Sequence, residues 1–148
     1  MVDRDALSAR LNALEQYVDQ IRTFEQFSRS EFTARPDLHH LAERYLHLAC
    51  EAVLDTAHHV IADCGYRQPS SYKDAIDVLR ENGHLDAALS ERIKEWMGFR
   101  NVIVHLYLAI DHGRVHDAIC SDLGDLLQFA RSLAPLLADD AKTPGESS

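Results

Sequence analysis

Asp5-Ala6-Leu7-Ser8-Ala9-Arg10-Leu11-Asn12-Ala13-Leu14-Glu15-Gln16-Tyr17-Val18-Asp19-Gln20-Ile21 is the stretch that settles the fold class. Its apolar residues Leu7, Leu11, Leu14, Val18 and Ile21 step 4-3-4-3, the spacing that lines one face of an α-helix. The pattern predicts a long first helix over 5–32. It stops at Arg35-Pro36-Asp37, because proline cannot continue a helix and restricts the residue before it.

The same period runs through the rest of the chain. A second helix is expected over 37–63, apolar on two sides (Leu41, Leu48 and Ala52; Leu46, Val53, Leu54, Val60 and Ile61) and therefore central. Gly65 is its expected stop. Ser70-Ser71 caps a short third helix that ends at Asn82-Gly83. Ser90 is the expected N-cap of a fourth helix, with Ile93, Trp96, Ile103 and Ile110 on its stripe, ending at Asp111-His112-Gly113. A fifth carries Ile119, Leu123, Leu126, Ala130, Leu133 and Leu137, kinked or ended early at Pro135. No strand alternation or internal repeat is visible. The expected architecture is all-α, an antiparallel bundle of four long helices and one short one. It forms a single domain over 1–138, followed by a disordered polar tail over 139–148.

Composition narrows the function classes. The chain has 148 residues, 46% hydrophobic and 26% charged, ordinary for a globular domain. No apolar run approaches the length of a membrane span, and the first residues lack a signal-peptide pattern, so a cytoplasmic protein is expected. The net charge of −9 argues against a general nucleic-acid coat. The residues from Ala88 to His116 are the exception, with four basic and three acidic side chains. A phosphate-bearing partner meets little repulsion there. The three cysteines include no CxxC pair. Cys50 and Cys120, set among apolar residues, are expected to be buried structural thiols.

The fourth helix breaks its own pattern. Arg100 and Tyr107 occupy positions that would complete its apolar seam, and an arginine on such a seam is costly unless it is paired or lines a cleft. The apolar run over 102–110 suggests protein contact on two sides, the second from another copy of the chain. Asn101 and His105 share a face, whereas His105 lies about 140° from Arg100 around an ideal helix. Only a kink or a second copy of the helix brings the two together. The residue types suit RNA cleavage without metal. Imidazole moves protons near neutral pH, and guanidinium grips phosphate and stabilises its transition state. A buried ion pair with a core histidine is the structural alternative.

Arg100-Asn101-Val102-Ile103-Val104-His105-Leu106-Tyr107 matches the R-x4-H-x-Y motif of HepT toxins within the HEPN superfamily. Segments around Glu43 to Ala49, Leu54 to Ile61, Ser71 to Asp74 and Trp96 to Asn101 are also similar to that family, over residues 5–135. The resemblance implies a homodimeric toxin of a two-gene toxin–antitoxin system. Arg100 and His105 would be catalytic, with Asn101 in support, in a composite cleft that cuts tRNA or mRNA endonucleolytically without metal or cofactor. It also implies an MntA-like nucleotidyltransferase antitoxin that transfers AMP from ATP to Tyr107. A non-catalytic substrate-binding or regulatory subunit of a nucleotidyltransferase is the alternative, and the intact arginine and histidine favour the enzyme.

The nine histidines raise the question of a metal. Asp55-x-x-His58, with Glu51 one turn earlier, is half of a di-iron helix motif. No second half is present, so no metal site is expected. Asp55 reads instead as the partner of a cation on a neighbouring helix, and His39-His40 and Lys73 as solvated.

Overall fold

The computed structural model describes residues 2–105 and 107–138, and of Tyr107 the backbone only. The described residues form seven α-helices and two short 3-10 turns, without a strand. The order is α1 (Arg4–Arg22), a 3-10 turn (Thr23–Gln26), α2 (Arg29–Ala34), α3 (Pro36–Cys64), α4 (Tyr72–Glu81) and α5 (Ala87–His105). A second 3-10 turn (Tyr107–Ala109), α6 (His112–Asp122) and α7 (Gly124–Leu133) complete it. The expected tail over 139–148 lies outside the described residues.

The 4-3-4-3 stripe of α1 is the buried face of that helix: Leu7, Leu14, Val18 and Ile21 are fully enclosed. It packs mainly on α3, the central helix, which also touches α2, α4, α5, α6 and α7. Leu46, Val53, Val60 and Ile61 of α3 are buried. Its other apolar side is not covered: Leu41 is 49% exposed, and Leu48 and Ala52 are half-buried. Gly65 ends α3 in the left-handed region at φ 69°, which lets Tyr66 N–H reach back to the Ile61 carbonyl.

Four helix boundaries differ from the sequence expectation. The first helix is three pieces, because Phe27 is extended and Ser28 opens α2 with a reciprocal capping box to Glu31. The fourth helix is capped by Asp86, not Ser90. The Asp86 carboxylate accepts from Leu89 N–H, whereas Ser90 lies buried inside the helix with its hydroxyl donating to the Asp86 carbonyl. That helix also ends at His105 rather than at 111–113. Asp111 is the cap of α6, accepting from Gly113 and Arg114 N–H, so the chain reverses before it. The expected fifth helix is two, parted at Leu123, and the second ends at Leu133 ahead of Pro135. None of the described helices is long and apolar enough to cross a membrane.

Two expectations about single residues also need correction. Cys50 is buried, but Cys120 is exposed, one residue past the buried Ile119 of α6 and turned off its core face. His39 is not solvated: it is 5% exposed, wedged between the rings of Phe32 and His112. His40 is exposed.

Candidate active site

Arg100 leaves α5 toward α3, and its side chain is 19% exposed. Its Nε donates to Glu51 Oε1 at 2.6 Å, and Nη2 meets the same oxygen. A cation on the seam is therefore paired, as its position demands. Glu51 is the partner that the sequence did not assign, 49 residues earlier. It is held in turn by its own helix: His47 Nε2 is 3.6 Å from Glu51 Oε1, and Arg44 Nη1 lies 3.3 Å from His47 Nδ1. The His47–Glu51 spacing of i,i+4 was the available sequence signal. A guanidinium has five N–H donors. Glu51 takes two of them at one oxygen.

Asn101 follows Arg100 and is half-buried, whereas His105, the last residue of α5, is exposed. Among the described residues, Arg100 and His105 share no partner. Their azimuths differ by about 140° on a helix, as the spacing implied. Because α5 stops at His105, Tyr107 is not on the seam of Arg100. Its backbone belongs to the 3-10 turn, and its side chain lies outside the described residues.

The surface beside these groups is apolar and uncovered. Val102, Ile103 and Val104 are only half-buried, and Leu108 is 89% exposed. A cavity of about 570 Å³ opens between α3 and this segment, lined by Arg44, His47, Ile103 and Leu108 among others. Inside, Cys50 is buried with its Sγ 3.8 Å from the Trp96 carbonyl. Burial pushes its thiol up to about 12, partly opposed by the charge of Arg100, so it is a neutral core group.

In the di-iron half-motif, Asp55 takes Arg10 Nε of α1 at 2.9 Å, the cross-helix cation expected of it, and His58 is exposed. Lys73 is exposed, as read from the sequence. A different cluster, absent from the sequence reading, gathers at the start of α3. Glu43 is buried, its carboxyl pushed up by burial and held back by His112. His112 Nδ1 lies 2.5 Å from Glu43 Oε2. Burial and its neighbours His112 and His40 lower the basicity of His39.

A family model described as "Ribonuclease HepT-like" matches residues 14–133. A tRNA nuclease HepT from Aphanizomenon flos-aquae is 25% identical over 127 residues, 86% of either chain. An mRNA nuclease HepT from Shewanella oneidensis is 31% identical over 84 residues, 57% of this chain and 63% of that one. Among solved structures, a tri-AMPylated Shewanella oneidensis HEPN toxin in complex with an MNT antitoxin superposes with a TM-score of 0.81. It is 24% identical and covers 91% of this chain and 99% of that one. The cytosolic protein YutE from Bacillus subtilis, also 24% identical, gives 0.80 over 94% and 93%. With the family model spanning most of its length, the chain belongs to the ribonuclease HepT-like family.

Proposed function

We propose that the protein is an endoribonuclease, the toxin of a HepT–MntA type toxin–antitoxin pair, and that it acts as a homodimer. One observation carries the reading. Glu51 holds the Arg100 guanidinium with donors to spare, and His105 stands exposed on another side of the same helix. One chain cannot aim both at one phosphate. Two chains can, if they meet along a strip that covers the exposed apolar side chains Leu41 and Leu108. Burying such a strip favours association by roughly 25 cal/mol per Å² of apolar surface.

In the dimer, Arg100 binds the scissile phosphate through two hydrogen bonds and offsets the charge that builds on it. His105 moves a proton, from the 2′-hydroxyl or to the leaving oxygen. Asn101 supports the pair by positioning the phosphate or the imidazole. No metal takes part in these steps. The named substrates of the curated relatives, mRNA and tRNA, make both classes the first to test.

Control is by the partner nucleotidyltransferase, an MntA-like antitoxin, which transfers AMP from ATP to the hydroxyl of Tyr107. The tri-AMPylated toxin bound to its MNT antitoxin supports this reading. Tyr107 begins the turn directly after α5, so an anionic nucleotide attached there stays near the arginine and competes with RNA for it.

The test uses purified protein and a mixed tRNA and mRNA pool. Wild type is expected to cut, and Arg100→Ala and His105→Ala to lose roughly 10²-fold or more in rate with unchanged circular dichroism. Full activity in either variant refutes the assignment, as does a strict monomer at micromolar concentration.

A further inference from the structure

The buried cluster at the start of α3 is chemically distinct from the Arg100 pair. His39 Nδ1 lies 4.0 Å and His40 Nδ1 3.9 Å from the same oxygen, Glu43 Oε1. All three residues offer ligand atoms within 4.8 Å of one another. The other carboxylate oxygen, Oε2, is engaged by His112 Nδ1, which fixes the plane of Glu43. His39 and Glu43 are each 5% exposed, yet His39 Nδ1 has no hydrogen-bond partner among the described residues. A buried imidazole nitrogen is costly to leave unsatisfied. Here it faces a carboxylate oxygen that is too far away to bond.

Three atoms spaced this way surround a point in their own plane about 2.3–2.5 Å from each, a few tenths of an ångström beyond zinc–nitrogen and zinc–oxygen bonds of about 2.0–2.2 Å, so a small closing movement brings all three onto one ion. The donors are two imidazoles and one carboxylate, a set suited to zinc-class ions. His40, with a side chain 69% exposed, borders the cavity. It gives an ion its way in and leaves one position open for water.

We propose that His39, His40 and Glu43 bind a divalent transition-metal ion of the zinc class, with His112 orienting Glu43. His112 is the positioning residue: it holds the carboxylate by its other oxygen, as outer-shell partners of metal ligands do. It is also the first residue of α6, three residues past the turn that carries Tyr107. The bound ion therefore tethers the start of α6 to α3 through Glu43 and fixes the far end of the Tyr107 segment. It is a tether, not a reaction centre, since the arginine and histidine of the cleavage motif lie on α5.

Binding is read directly, apart from RNA cleavage. Full-length protein stripped with chelator is titrated with Zn²⁺ by calorimetry and with Co²⁺ by visible absorption. Wild type is expected to take up one ion per chain, with the intense d–d bands of a low-coordinate Co²⁺ site. His40→Ala removes an exposed ligand without disturbing the core and is expected to weaken Zn²⁺ binding by at least about tenfold. His112→Ala is expected to weaken it by about 10–100-fold. His58→Ala, on an exposed part of the same helix, is expected to bind like wild type. Absence of uptake by wild type, unchanged affinity in His40→Ala, or equal losses in His40→Ala and His58→Ala would each overturn the proposal. The last result would mean scattered binding to surface histidines.

Discussion

Glu51→Gln isolates the role of the carboxylate that holds Arg100. The change keeps the shape of the side chain and removes its charge. In the native pair one oxygen accepts both from Nε at 2.6 Å and from Nη2, with the side chains 19% and 43% exposed. A fully exposed pair contributes about 0.2–1 kcal/mol, and a charge-assisted hydrogen bond about 1.5–3 kcal/mol. Partial exposure places this pair between them, at about 1–2 kcal/mol. If that energy goes into aiming the guanidinium at the transition state, its loss lowers kcat by about 5–30-fold at 1.36 kcal/mol per decade. Arg100→Ala, which removes the group itself, is expected to cost about 10²–10³-fold. The assay is single-turnover cleavage of a labelled RNA at saturating enzyme, so binding and chemistry separate. The double variant is the sharper readout. If Glu51 acts only through Arg100, Glu51→Gln adds nothing once Arg100 is alanine. An additive loss in the double variant, or a kcat in Glu51→Gln equal to wild type, refutes the positioning role.

Three further outcomes follow from the same structure. Cleavage is expected to persist in EDTA, because phosphate binding and proton transfer are assigned to Arg100 and His105; loss of cleavage on chelation contradicts that assignment. In acid, the Arg67 network is a source of instability. Arg67 holds the Asp74 carboxyl well below the usual range and also lowers Glu81. Both groups therefore lend stability that is complete above their unfolded values near ~4 and is lost as pH falls through the lower folded values. The melting temperature of wild type is expected to fall more steeply below pH ~4 than that of Arg67→Ala, and parallel curves would contradict this. A thiol reagent is expected to label exposed Cys120 in the native protein and to spare buried Cys50 until denaturant is added; native labelling of Cys50 would show that the core opens at α3.

What the sequence made legible was local. The stripe of α1, the glycine stop of α3 and the Ser71 cap of α4 are each decided by residues within a few positions of one another. The boundary errors came from ambiguous signals of that same kind. Ser28-x-x-Glu31 is a helix start inside a run of helical period. Asp111 could be read as a stop for one helix or a cap for the next. Ser90 is a good cap by type, but Asp86 lies four residues earlier and claims the role. The pairings at the site lie beyond such reasoning. Arg100 and Glu51 are 49 residues apart, and Glu43 and His112 are 69 apart. Only the packing of α3 against α5 and α6 selects them from the available charges. The motif at Arg100, Asn101 and His105 was legible only through the resemblance of 100–107 to the family pattern, since one arginine and one histidine on a helix are not specific by themselves.

The most direct test of the composite site is a heterodimer in which one chain carries Arg100→Ala and the other His105→Ala, isolated with two different affinity tags. If the arginine of one chain works with the histidine of its partner, each homodimer is silent, while the heterodimer keeps one intact pair and cleaves RNA at about half the wild-type rate per dimer. A silent heterodimer, or cleavage by either homodimer, contradicts the account.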